Sequence, residues 1–169
     1  VLVTREATPR TEGMTATGGA PPMEEAPKED TRLRGLFDAI EQHPDDADAL
    51  ANLALYLLRR QSFDEARPFI ARATWLDPFH VRTRIARAVV KALDGAVPAA
   101  QGELERLGRR YPEGYDAHLF AGLLAMDQND TPRALDAFDR YFAVAPPGEA
   151  PPMMKMAVEQ LRRRTPPAP

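Results

Sequence analysis

Prolines recur in this chain at a fixed step. Pro44 in QHPD, Pro78 in LDPF, Pro112 in RYPE and Pro146 in VAPP stand 34 residues apart each time. Ala66, Ala100 and Ala134 keep the same interval, each twelve residues ahead of a proline, and Ile70, Leu104 and Phe138 follow four residues after them. Proline lacks a backbone N–H and pushes the residue before it out of the helical region, so each one ends a helix and turns the chain. The small alanine lets two helices approach closely. Three landmarks kept in phase describe one helix–turn–helix unit used repeatedly, and about three such units are needed before their apolar faces are covered.

A 34-residue period with the pattern A-x₃-F…P resembles the tetratricopeptide repeat signature, over roughly residues 31–164. The resemblance implies an all-α fold, a right-handed superhelix of about 3.5 repeats closed by a C-terminal capping helix. A half unit falls at 31–46, full units at 47–80, 81–114 and 115–148, and the cap helix at 151–164.

Within the first full unit, Leu50, Leu53, Ala54 and Leu57 form a stripe predicted to pack on Ala66, Ile70 and Ala73 of the second helix. Ser62 and Glu65 have the spacing of a capping box. Gly122 supplies the small residue of the last unit, and Pro132 suits a first helical turn. Two places strain the pattern. Pro68 should kink its helix or delay its start, at up to ~3 kcal/mol if interior. In VRTRIARAVVKAL, strict phase puts Arg84 and Arg87 on the packing stripe, where unpaired charge is costly. A one-residue shift instead buries Ile85, Ala88, Val89 and Ala92, with a shorter turn expected around Asp94–Gly95.

Residues 1–30 carry Thr, Gly, Pro and Glu with scarcely a large apolar side chain after Val3, and read as a disordered tail or linker. Order is expected from Asp30 or Thr31, either a suitable helix cap, and residues 165–169 form a second tail. The formal charge of −3 favours neither nucleic acid nor an anionic membrane. Lys28, Lys91 and Lys155 are the only lysines among many arginines, a composition that fits a GC-rich bacterial genome. No apolar run approaches the ~18 residues of a membrane span. Opening on Val1 fits either a fragment cut downstream of an anchor or a start codon read as valine. The default compartment is cytoplasmic, and periplasmic if such an anchor exists.

Catalytic chemistry finds little to use. The absence of cysteine removes disulfides and thiolates. Ser62 is the only serine and is better explained as a cap. His43, His80 and His118 share no ligand spacing, so no metal site is expected. His118 stands where the resembled family has tryptophan, which implies a packed core residue. Paired carboxylates such as Asp45–Asp46 and Asp64–Glu65 sit in first turns, where the helix dipole accounts for them. The chain is read as a non-enzyme without cofactors.

Binding is better supported. On the first helix of the first full unit, Ala51, Leu55 and Leu58 widen the apolar arc to about 200°, at 100° per residue. Ala86, Val90 and Leu93 repeat this in the middle unit, and Leu119, Leu123 and Met126 in the third. In the resembled family that side lines a concave groove holding a partner segment. The alternative is that helices with neighbours on two sides simply need more apolar surface. Arg87, with Arg84 and Lys91, forms a row that is either a groove rim or a solvated face. Asn52 alone resembles part of the clamp with which some family members hold a terminal carboxylate, and that activity is not carried over. Trp75, Phe79 and His80 make either an exposed aromatic step or a cation–π contact with a neighbouring arginine. Met153, Met154 and Leu161 could pair two copies or cap one.

The expected function is therefore a non-catalytic adaptor that binds another protein or peptide segment, with no nucleic acid and no membrane insertion. Two alternatives stand beside it: a membrane-tethered assembly module resembling those of c-type cytochrome maturation, and a small secretion-type chaperone.

Overall fold

Each of the three later prolines stops a helix as its chemistry requires. The computed structural model describes residues 28–150 and 152–164, so residues 1–27 of the predicted 1–30 tail and the predicted tail 165–169 lie outside them. Among the described residues there are eight α-helices and no strand. They are α1 (Lys28–Gln42), α2 (Ala47–Arg59), α3 (Phe63–Leu76), α4 (Val81–Leu93), α5 (Val97–Arg110), α6 (Asp116–Asp127), α7 (Thr131–Val144) and α8 (Pro152–Arg164). Asp77, Tyr111 and Ala145, the residues just before Pro78, Pro112 and Pro146, are all extended, with ψ of 95°, 102° and 139°. That is the conformation proline imposes on its predecessor.

The turns inside each unit repeat as strictly. Gln61, Gly95 and Asn129 hold the left-handed conformation, with φ of 62°, 97° and 59°. The amide after each bonds back five residues, Ser62 to Leu57, Ala96 to Lys91 and Asp130 to Ala125, at 3.0, 3.0 and 2.9 Å. Each left-handed residue's own amide bonds back three, giving a Schellman closure at all three turns.

Packing follows the landmarks. Ala66, Ala100 and Ala134 are fully buried, as are Leu104 and nearly so Ile70 and Phe138. The strongest contacts join α2 to α3, α4 to α5 and α6 to α7, while α2 and α6 both lean on α4. The first helices thus form one layer and their partners another, an all-α superhelix. A Cβ built on Gly122 would lie 2.5 Å from Phe138 Cε1, so only glycine allows α6 and α7 their approach here.

Several expectations need correcting. Helix α1 begins at Lys28, so residues 28–30 belong to a helix rather than a tail, and neither Asp30 nor Thr31 caps it. Ser62 precedes α3 without a side-chain cap bond, whereas Asp130 at the matching position accepts from the Arg133 amide. Helix α3 runs unbroken through Pro68, whose exposed position leaves the freed carbonyl's side of the helix near water. In α4, Ile85, Ala88, Val89 and Ala92 are buried and Arg87 is exposed, as the shifted stripe requires. No shorter turn accompanies it: residues 94–96 match 60–62 and 128–130 in length, because Gly95 closes the same motif. The stripe moves by rotation of side-chain burial around a helix that stays in register.

Candidate functional site

The inner layer is joined across its curve by charge. Arg59, at the end of α2, donates to Asp116, the first residue of α6, and through Nη1 to Glu149 Oε2 at 3.1 Å. Arg32 of α1 holds both oxygens of the same Glu149 at 2.9 and 3.0 Å. Asp116 is buried, and burial pushes its carboxyl above the ordinary value against the pull of Arg59. Burial also opposes the charge on Arg59, but Asp116 prevails and raises its pKa. For Glu149 burial works upward too, yet Arg32 and Arg59 hold it below the usual carboxylate range. Tyr141 beside them is pushed up to about 12 by burial and stays a neutral phenol.

This network divides the concave side into two cavities. The smaller, about 230 Å³, lies against Leu36, Asn52, Leu55, Tyr115 and Asp116. The larger, about 810 Å³, is floored by Leu119, Leu123 and Met126 of α6 with Phe138 and Tyr141 of α7. Helix α8 forms its far wall through Met154, Ala157, Val158 and Leu161. Arg32, Tyr56, Arg59 and Glu149 border both cavities.

The predicted groove residues therefore divide. Leu123 and Met126 keep 44% and 37% of their surface exposed and meet Leu119 in the large cleft. Ala51, Leu55, Leu58 and Ala86 are sealed between helices, Leu55 only edging the small cavity, so for these four the wide apolar arc is packing. Val90 is half-buried against the same core, and Leu93 is 43% exposed but borders neither of these cavities. Asn52 donates to Asp48 Oδ2 at 3.3 Å. Two members of the basic row bond within the chain, Lys91 to Glu103 at 2.8 Å and Arg87 to the Pro78 carbonyl at 3.4 Å, and Arg84 is half-buried. Trp75 and Phe79 are 78% and 83% exposed and line neither cavity. Met153 is exposed, while Met154 and Leu161 line the cleft.

His118 is buried, with the Gly108 backbone as hydrogen-bond partner, and burial holds its pKa below the ordinary value. A Cβ on Gly108 would come within 2.6 Å of the imidazole, so this histidine is a packing residue set into a helix notch.

Sequence reasoning missed the arginine wall and the role of α8. The spacing of Met154, Val158 and Leu161, four and then three residues, was a readable apolar stripe. What it covers depends on the chain folding back over 90 residues from Arg59 to Glu149, which no local pattern encodes.

No curated protein matches the chain. A solved structure described as a functional characterization of Pseudomonas aeruginosa pilF is similar to 80% of the chain, with a TM-score of 0.49 and 18% identity, and the chain spans 61% of that structure's length. Residues 36–80 and 84–150 match the tetratricopeptide repeat family model. With most of its length in those two matches, the chain belongs to the tetratricopeptide repeat family, whose repeats indicate a scaffold for protein–protein interaction.

Proposed function

We propose that the chain is a non-catalytic adaptor that holds a segment of another protein in the cleft between α6, α7 and α8. One observation carries this reading: Leu123 and Met126 remain open in a folded chain that seals the equivalent Leu55 and Leu58. Apolar side chains left in a concave site are the usual anchors of a bound segment, and a few of them supply most of the affinity. The cleft's volume and mostly apolar lining suit such an occupant.

Site-specific photo-crosslinking tests the reading. A photoreactive phenylalanine analogue is placed at position 123 in the cleft and, separately, at exposed position 75 outside it. A discrete protein adduct from native lysate is expected at 123 and not at 75. Adducts only at 75 would move the binding surface to the exposed Trp75 and remove the cleft reading.

A further inference from the structure

Helix α8 is fastened to α7 at its middle and its end. Val158 is buried in one cluster with Phe138 and Tyr141, Lys155 Nζ lies 5.8 Å from the Phe142 ring centroid, and Arg162 bonds Asp139. The turn that leads into α8 is fastened elsewhere. Gly148 stands at φ 88° and the Glu149 amide bonds to the Pro146 carbonyl at 3.1 Å. Pro147 ahead of a glycine of positive φ suits a type II turn. A Cβ at Gly148 would meet nothing within 4 Å, so backbone conformation alone asks for glycine there. The turn delivers the Glu149 carboxylate to α1 and α2. It receives two bonds from Arg32, at 2.9 and 3.0 Å, and one from Arg59 at 3.1 Å. Such charge-assisted bonds are about twice as strong as neutral ones. The Glu149 side chain is only 18% exposed, which shields them in part from solvent and salt. From Glu149 to Pro152, where α8 begins, the chain takes three steps and spans at most ~11 Å.

We infer that Glu149 is a positioning residue for the cleft: by tying the turn before α8 to Arg32 of α1 and Arg59 of α2, it sets how far α8 stands from α6, and so how wide a segment the cleft admits. With its start released, α8 would swing about the attachments at Val158 and Arg162. Helix α1 lends the cleft lining one side chain, Arg32, yet through Glu149 it governs the opposite wall. The use of this device in binding rests on the adaptor reading, whereas the geometry does not.

Paired spin labels on the full chain test it, since the sequence holds no native cysteine. Asp127→Cys at the end of α6 and Met153→Cys at the start of α8 replace exposed residues outside the cleft lining. Their separation, measured with no partner present, is expected to be narrowly distributed, and to shift and broaden in Glu149→Ala and in Arg32→Ala. Arg59 is left in place because it also holds Asp116. A second pair, Asp127→Cys with Ala143→Cys, reports α6 against α7 and is expected to stay unchanged in both variants. An α6–α8 separation that neither variant moves would overturn the positioning role and leave the adaptor reading standing. Movement of the α6–α7 pair as well would also overturn it, by showing a loss of fold rather than of α8's position. A displaced α8 in a chain that gives no adduct from position 123 would sustain the role of Glu149 and remove the adaptor reading.

Discussion

The guanidinium of Arg59, closing α2, is bonded to the carboxylate of Asp116, opening α6, 57 positions further along the chain. Because α2 and α6 both rest on α4, this pair spans the curve of the inner layer and fixes how tightly it bends. Removing one partner of a buried pair strands the other charge, which costs about 3–5 kcal/mol. Arg59 keeps Glu149 as a partner, so Asp116→Ala is expected to lower unfolding free energy in a urea titration by less than that full cost. The double variant Arg59→Met, Asp116→Leu should recover most of it, since well-packed apolar replacements of buried pairs are often neutral. A small loss in the single variant would show that the pair is not structural.

Gly122 and Gly35 should respond oppositely to alanine. Both lie in helices, where alanine is favoured over glycine by about 1 kcal/mol. Nothing lies within 4 Å of a Cβ at Gly35, so Gly35→Ala should stabilise. At Gly122 the Phe138 ring stands 2.5 Å away, and overpacking should destabilise Gly122→Ala by about 1–3 kcal/mol. Phe138→Leu should relieve part of this, a coupling that a double-mutant cycle measures.

The three left-handed turn residues are not equivalent in cost. Gly95 adopts φ of 97° freely, while Gln61 and Asn129 carry a side chain at φ near 60°. Gln61→Gly is expected to stabilise by about 0.5–1 kcal/mol and Gly95→Ala to destabilise by about 1 kcal/mol. Thermal melts of the two variants check the signs.

His118 makes stability depend on pH. Burial holds its pKa below the ordinary 6.5, so the folded state binds this proton less readily than the unfolded chain. Its contribution is fully present above pH 6.5 and is lost as pH falls towards the folded pKa. His118→Gln should flatten the stability–pH slope just below 6.5, read from denaturant midpoints across that range. An unchanged slope would mean the histidine titrates normally in the fold.

The repeat was legible because proline and alanine act locally. Pro78 extends Asp77 whatever surrounds it, and Ala66 is small in any context, so their spacing translated directly into turns and contacts. Ser62 was misread because serine, glutamate and spacing fit a cap, while the bond also needs a backbone and side-chain conformation that residue type and spacing do not fix. Gln61 gave little signal because its conformation is imposed by the Schellman closure rather than preferred by its type, whereas Asn129 belongs to a type that adopts it and was a readable turn residue. For the site, periodicity identified Leu55, Leu58, Leu123 and Met126 alike as apolar surplus. Which pair is covered depends on tertiary neighbours: the apolar side chains of α1, with Leu33, Leu36 and Ile40, pack against the core that holds Leu55 and Leu58, whereas α8 stands off from Leu123 and Met126 across the cleft.

The most direct measurement is calorimetric binding of a protein captured by the position-123 crosslinker to the wild-type chain and to Leu123→Glu, with helicity and melting temperature shown to match. The cleft account expects at least a tenfold loss of affinity, while Leu93→Glu, exposed on α4 outside the cleft, binds as wild type. Equal affinity for wild type and Leu123→Glu, or a loss confined to Leu93→Glu, would contradict it.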